Sequence, residues 1–160
     1  MDANNYSPVD GSPFRFTIVR ARFNEGVTQG LLDACTETLR GAGVRPEHVS
    51  VIEVPGSMEI GYALNECAVE GTADVLIALG AVIKGETVHF EYLASFCMDS
   101  IREVIMSQRI PVSVGVLTCF NRAQAEARSG FGPLNRGREA ALAAVEMAAL
   151  RRNMGWTRGV

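Results

Sequence analysis

Four short apolar runs rich in β-branched residues alternate along the chain with longer stretches whose apolar residues recur every three or four positions. The runs are 14–21 (FRFTIVRA), 49–54 (VSVIEV), 75–82 (VLIALGAV) and 111–117 (PVSVGVL), and each predicts a strand. The third is apolar almost without interruption, which suits a central strand covered on both faces. Residues 27–42, 58–69 and 88–107 carry the helical spacing, and so does 123–150, broken at SGFGPLNRG. Gly41-Ala42-Gly43 supplies the glycines that end the first helix. Strand-then-helix order repeated along one chain builds a parallel sheet between two helix layers. The pattern predicts one α/β domain over 14–160, preceded by a polar, acidic segment, 1–13, that reads as a flexible arm.

Composition narrows this picture only slightly. A chain of 160 residues is large enough to bury one proper core. Its net charge of −3 offers no basic footprint for nucleic acid or an anionic membrane. No apolar run approaches the roughly 20 residues that span a bilayer, and the polar start is neither a signal nor a transit peptide. Cys35, Cys67, Cys97 and Cys119 are far apart, without metal-binding spacing, and read as buried free thiols. That usage suits a reducing cytoplasm.

In open parallel sheets, ligands bind beyond the carboxyl ends of the strands. The segments in those places are ARFNE, PGSMEI, IKGETVHF and TCFNRAQAEARSG. Gly80-Ala81-Val82-Ile83-Lys84-Gly85-Glu86-Thr87 follows a phosphate-loop pattern, except that Glu86 stands where a lysine would reach nucleotide phosphates. That carboxylate repels a triphosphate, and no Mg-binding aspartate follows the fourth strand, which argues against nucleotide hydrolysis. Gly85 permits a tight turn, after which the amides of Glu86, Thr87 and Val88 can hold a small phosphate at a helix start. The alternative is that Glu86 and Thr87 only cap that helix.

His89, just inside the same helix, is a proton shuttle if it faces the site and a structural histidine if it does not. His48 follows the polar RPE and is expected in solvent. Arg128 has the fork geometry for phosphate, or is a solvated helix arginine. Phe23 lies in a polar turn and is exposed unless it stacks on something planar. Glu59 opens a helix, where the dipole alone favours it.

Taken in order, ARFNEGVT, VPGSMEI, ALGAVIKGETVHFEY, PVSVGVLT, QAEARSG and NRGREAALAAVEMAAL resemble the lumazine synthase family over residues 14–150. The resemblance implies a flavodoxin-like three-layer α/β/α sandwich on a four-stranded parallel sheet. It implies a transferase that condenses 5-amino-6-(D-ribitylamino)uracil with 3,4-dihydroxy-2-butanone 4-phosphate. The products are 6,7-dimethyl-8-ribityllumazine, phosphate and water, at the penultimate step of riboflavin biosynthesis. Neither cofactor nor metal is implied. Carried over by motif, Phe23 stacks on the pyrimidinedione, and Ser57, Met58 and Glu59 hold the ribityl chain. Ala81, Val82 and Ile83 line the ring pocket, while Gly85, Glu86, Thr87 and Arg128 hold the phosphate. His89 moves protons, and Lys84 and Arg136 are secondary candidates. The implied partners are small-molecule substrates, further copies of the chain in pentamers with sites between subunits, and riboflavin synthase.

Three positions depart from the family pattern. Gly61 stands where a helix-opening proline is common, and Arg136 where lysine is usual. Val114 occupies a place where many relatives carry a phenylalanine that reaches into the neighbouring subunit's site. That change leaves open a catalytically weak flavin- or lumazine-binding or shell-forming homologue. The final helix, AALAAVEMAAL, is apolar over more than a one-sided surface helix needs. It is expected to bury against another copy, because a small four-stranded domain lacks the core to cover it.

Overall fold

The computed structural model describes residues 6–86 and 89–157. Its strands are β1 (Phe16–Ala21), β2 (Val49–Val54), β3 (Val75–Ile83) and β4 (Val112–Cys119). Between and after them come α1 (Glu25–Gly41), α2 (Ile60–Glu70), α3 (His89–Gln108), α4 (Arg122–Ser129) and α5 (Arg136–Asn153). Single turns of 3-10 helix at Pro46–His48 and Ser57–Glu59 lead into β2 and α2. The strands are all parallel, in the order β2-β1-β3-β4. This is the flavodoxin-like order, in which the winding reverses between β1 and β3.

Side-chain alternation along the strands builds two cores. Val75, Ile77, Leu79 and Ala81 of β3 point to the layer of α1 and α5, and Leu76 and Ala78 point to that of α2 and α3. The unbroken apolar run therefore reads correctly as an inner strand buried on both faces. β1 starts two residues later than the pattern predicts, at Phe16. Phe14 is instead buried just before it, with the Arg152 guanidinium 4.6 Å from its ring centroid. At the end of α1, Gly43 takes a φ of 86°, the left-handed turn that the paired glycines anticipate.

Gly61 is also accounted for by packing. A Cβ there would collide with the side chain of Ser100, so α2 and α3 approach closely at this pair and a proline would not fit. Part of the N-terminal segment is tied to the domain. Gly11 is buried and donates its N–H to Ala42 O at 2.7 Å, and Val9 packs on the α1–α5 core.

Two expectations are corrected. His48 is buried, not solvated: the 3-10 turn tucks it inward, where its Nε2 accepts from Arg45 Nη2 at 2.7 Å. The apolar face of α5 needs no second copy. Gly137, Ala140, Ala141, Ala144, Val145, Ala148 and Ala149 are buried against α1, β3 and β4 of the same chain. Small side chains let α5 approach α1 closely enough to seal the face from within, and a Cβ on Gly137 would collide with Leu31 O.

Candidate active site

The carboxyl ends of β1, β2 and β3 meet at the point where the winding reverses. Leaving β1, Arg22 and Phe23 donate their N–H groups to Val54 O and Pro55 O, at 2.8 and 3.0 Å, which holds this loop against the end of β2. Asn24 then turns through the left-handed region, φ 61° and ψ 46°, a conformation that asparagine tolerates better than most residues. Its Nδ2 donates to Ala81 O at 3.1 Å, spanning the switch point from β1 to β3. Arg20, buried in β1, donates to Gln29 Oε1 and Glu53 Oε1 at 2.7 Å each and fixes the start of α1 to the sheet.

These bonds leave Phe23 71% exposed, its ring free to take a partner. Ser57 lies against β3, since a Cβ on Gly80 would come within 2.8 Å of Ser57 Oγ. Glu59 Oε2 accepts from Gly56 N–H at 2.8 Å, closing the turn before α2. Met58 and Glu59 are exposed beside it, and Ala81, Val82 and Ile83 complete the floor at the end of β3.

Beyond the floor, Lys84, Gly85 and Glu86 are exposed, and Thr87 lies outside the described residues. Lys84 N–H donates to Cys119 O at 2.8 Å, which ties the loop to the end of β4. The Lys84 ammonium sits 5.6 Å from the centroid of Phe120, whose ring stands 6.1 Å from that of Phe90. Phe120 thus braces the loop on one side and the start of α3 on the other. His89 is exposed at the first position of that helix. Arg128, in the last turn of α4, donates to Gln124 O at 3.0 Å and is otherwise exposed. It lies within electrostatic reach of β4's end: burial pushes the Cys119 thiol up, and the Arg128 charge offsets part of that rise.

Two candidates are not brought to this cluster within one chain. Val114 pairs with Ala78, upstream of Ala81 by about 10 Å of strand. Together with Arg136, the first residue of α5, it lines a separate cavity of about 360 Å³ beside the β4 edge, with Tyr6, Glu139 and Met147. A larger cavity, about 710 Å³, opens between α1 and the α4–α5 connection and contains none of the sequence-derived candidates. Of the strand-end cluster, Phe23, Met58, Glu59, Lys84, Gly85 and Glu86 are exposed.

Asn24, Phe90 and Phe120 escaped the reading of the sequence. The left-handed turn at Asn24 carries a weak signal, an asparagine directly before a helix. The aromatic brace carries none, because its members are 30 residues apart and meet only in the fold.

Residues 13–152 match the family model described as 6,7-dimethyl-8-ribityllumazine synthase. A protein of that name from Halorhodospira halophila is 45% identical over 140 residues, 88% of this chain and 90% of its own length. The one from Paraburkholderia phymatum is 46% identical over 151 residues, 94% of this chain and 86% of its own. In Burkholderia multivorans the corresponding protein is 44% identical, with the same two shares of 94% and 86%. A match of this extent, on a sheet of this order, means that the chain belongs to the 6,7-dimethyl-8-ribityllumazine synthase family.

Proposed function

We propose that this chain is a 6,7-dimethyl-8-ribityllumazine synthase, condensing 5-amino-6-(D-ribitylamino)uracil with 3,4-dihydroxy-2-butanone 4-phosphate in the riboflavin pathway of the cytoplasm. The observation that carries the reading is the strand-end cluster itself. An exposed aromatic ring follows β1, a polar turn follows β2, and a glycine loop and an exposed histidine follow β3, in a chain with this family match.

Phe23 stacks on the uracil ring, while Ser57, Met58 and Glu59 hold the ribityl chain. The backbone of Ala81, Val82 and Ile83 forms the floor of the ring pocket. Gly85, Glu86, Thr87 and Arg128 hold the phosphate, with Lys84 nearby. The carboxylate of Glu86 is tolerable because the ligand is a monophosphate that must depart, so weak, backbone-based holding suits it. Amine attack on the ketone gives an imine with loss of water, and elimination of phosphate leaves an enol that becomes a ketone. Attack of the ribitylamino nitrogen on that carbonyl, with loss of a second water, closes the ring. Holding both reactants in register supplies much of the rate. His89 shuttles the protons, and donors aimed at the departing phosphate stabilise its charge.

The working form is a homo-oligomer built on pentamers. Support comes from α3, which leaves Tyr92, Phe96 and Met106 exposed along its length. A neighbour's β4 edge would bring Val114 and Arg136 to the open side of the cluster. A homologue that binds without turnover is not favoured, since the relatives are named as synthases. Mixing the purified protein with both substrates tests the activity: lumazine fluorescence and released phosphate should exceed the spontaneous background. Binding of the uracil with no excess product would reject it.

A further inference from the structure

Arg128 is carried on an element that does little to hold itself in place. α4 has 8 residues and buries only Ala125 and Ser129, too few turns to persist unaided. Its ends are fastened instead. At the start, Asn121 Oδ1 accepts from Gln124 N–H at 2.9 Å, and Gln124 Oε1 accepts from Phe120 N–H at 3.0 Å. At the far end, Asn135 Nδ2 donates to Ser129 O at 2.7 Å and Gly130 O at 3.0 Å. The same amide reaches Gly30 O in α1 at 3.1 Å. Asn135 Oδ1 meanwhile caps α5, accepting from Gly137 N–H at 2.8 Å and Arg138 N–H at 3.4 Å.

Asn135 is 2% exposed, so one sealed side chain joins α1, α4 and α5. Gly30 makes the junction tight, because a Cβ there would collide with Ser129 O. Only asparagine suits the position. Aspartate keeps the cap but sets a carboxylate against three carbonyls, and serine is too short to span them.

We propose that Asn135 is a positioning residue for Arg128. It touches no substrate, yet it fixes the end of the helix from which the guanidinium reaches the phosphate. The proposal rests on the assignment of Arg128 to that phosphate. Bidentate contact depends on placement: a shift of about 1 Å at the end of α4 weakens it while leaving the uracil side of the site untouched.

Steady-state kinetics with each substrate varied in turn, on Asn135→Asp, Gly30→Ala, Arg128→Ala and Asn135→Asp combined with Arg128→Ala, provide the test. Arg128→Ala should raise KM for the phosphate-bearing substrate about 30- to 100-fold. Asn135→Asp and Gly30→Ala should each raise it about tenfold, with KM for the uracil changed less than about twofold. In the Arg128→Ala background, Asn135→Asp should add nothing to that KM, since it acts through a group already removed. Leu39→Val, a core change at the other end of α1, should lower Tm without moving either KM apart from the other. If Asn135→Asp does not fold, Gly30→Ala is read alone and combined with Arg128→Ala in the same way. Parallel changes in both KM values, or a loss of Tm alone while Arg128→Ala still acts, would overturn the role of Asn135. An unchanged KM in Arg128→Ala would instead remove the phosphate assignment, and the proposal with it.

Discussion

α5 and α3 are similar in length, 18 and 20 residues, and both are rich in apolar side chains, yet the fold uses them in opposite ways. α5 is lined with alanines and is sealed against α1, β3 and β4 of its own chain. α3 buries only Cys97, Ile101 and Val104 and leaves Tyr92 73%, Phe96 53% and Met106 69% exposed. Small residues allow helices to approach closely, so an alanine face is satisfied by whatever neighbour the chain already supplies. Large residues on an unmatched face stay in water unless another molecule covers them. An apolar surface this extended is uncommon on a monomer. The stronger candidate for self-association is therefore α3, not the buried alanine face of α5, which looks more sticky in sequence.

Phe96→Asp attacks that contrast most directly and should have the largest effect. A charge in the middle of a desolvated interface has no partner, and its cost falls entirely on association. In sedimentation at micromolar concentration the protein should run as the 17.2 kDa chain, with its circular dichroism preserved. If sites lie between subunits as proposed, activity should fall by about a hundredfold or more, the scale of losing a central contact. An assembled, active Phe96→Asp protein would show that α3 faces solvent in the working form.

Ala144→Leu makes the reciprocal change on α5. Ala144 is fully buried in the α1–α5 core, and three added carbons have nowhere to go. Thermal or urea unfolding should register a loss of about 1–3 kcal/mol, typical of overpacking, with the assembly state unchanged. Dissociation without lost stability would return α5 to the interface.

His89, the proposed proton shuttle, stands at the start of α3, and His89→Ala separates that role from the helix face. The proton shuttle assists steps in which the amine is already nucleophilic, so kcat should drop about ten- to a hundredfold, at the low end for acid–base groups. Assembly and KM should hold. A simultaneous loss of assembly would mean that His89 supports the α3 face and not the chemistry.

The sequence disclosed much of this architecture because the relevant signals are local. Strand ends, the turn at Gly43 and the apolar run of β3 depend on neighbours in the chain, and the structure moves them by no more than a few residues. The family motifs that name Phe23, Ser57 and His89 are likewise short local stretches. What was hidden depends on what stands opposite. Helical periodicity marks a face on α5 but not that Gly30 and Gly137 let α1 and α4 close upon it. The polar neighbours of His48 suggest solvent, whereas the 3-10 turn folds it inward. Asn135 looks like a loop residue in SGFGPLNRG; its cap of α5 is local, but its bonds to Ser129 O, Gly130 O and Gly30 O exist only once α4 and α1 close upon it.

The smallest effect concerns two thiols, one under each helix. Burial pushes Cys35, in the α1–α5 core, from its ordinary value of 9.0 to about 12. Cys97, in the buried stripe of α3, is pushed by burial to about 11. Above pH 9 the unfolded chain loses these protons while the native chain keeps them, so the native state binds more protons and stability falls as pH rises. Each thiol contributes a slope of about 1.4 kcal/mol per pH unit, ending near pH 12 for Cys35 and near pH 11 for Cys97. Those values describe a single chain. Cys97 is already fully buried, so covering α3 with neighbouring copies adds only the smaller effect of low-polarity matter beyond the helix and should raise its thiol slightly. The pH dependence of thiol labelling, on proteins retaining one cysteine or the other, reads this out. Cys97 should label at lower pH than Cys35, and at slightly higher pH in the assembled protein than in the Phe96→Asp background. Identical Cys97 profiles in both backgrounds would show that no neighbour lies over α3.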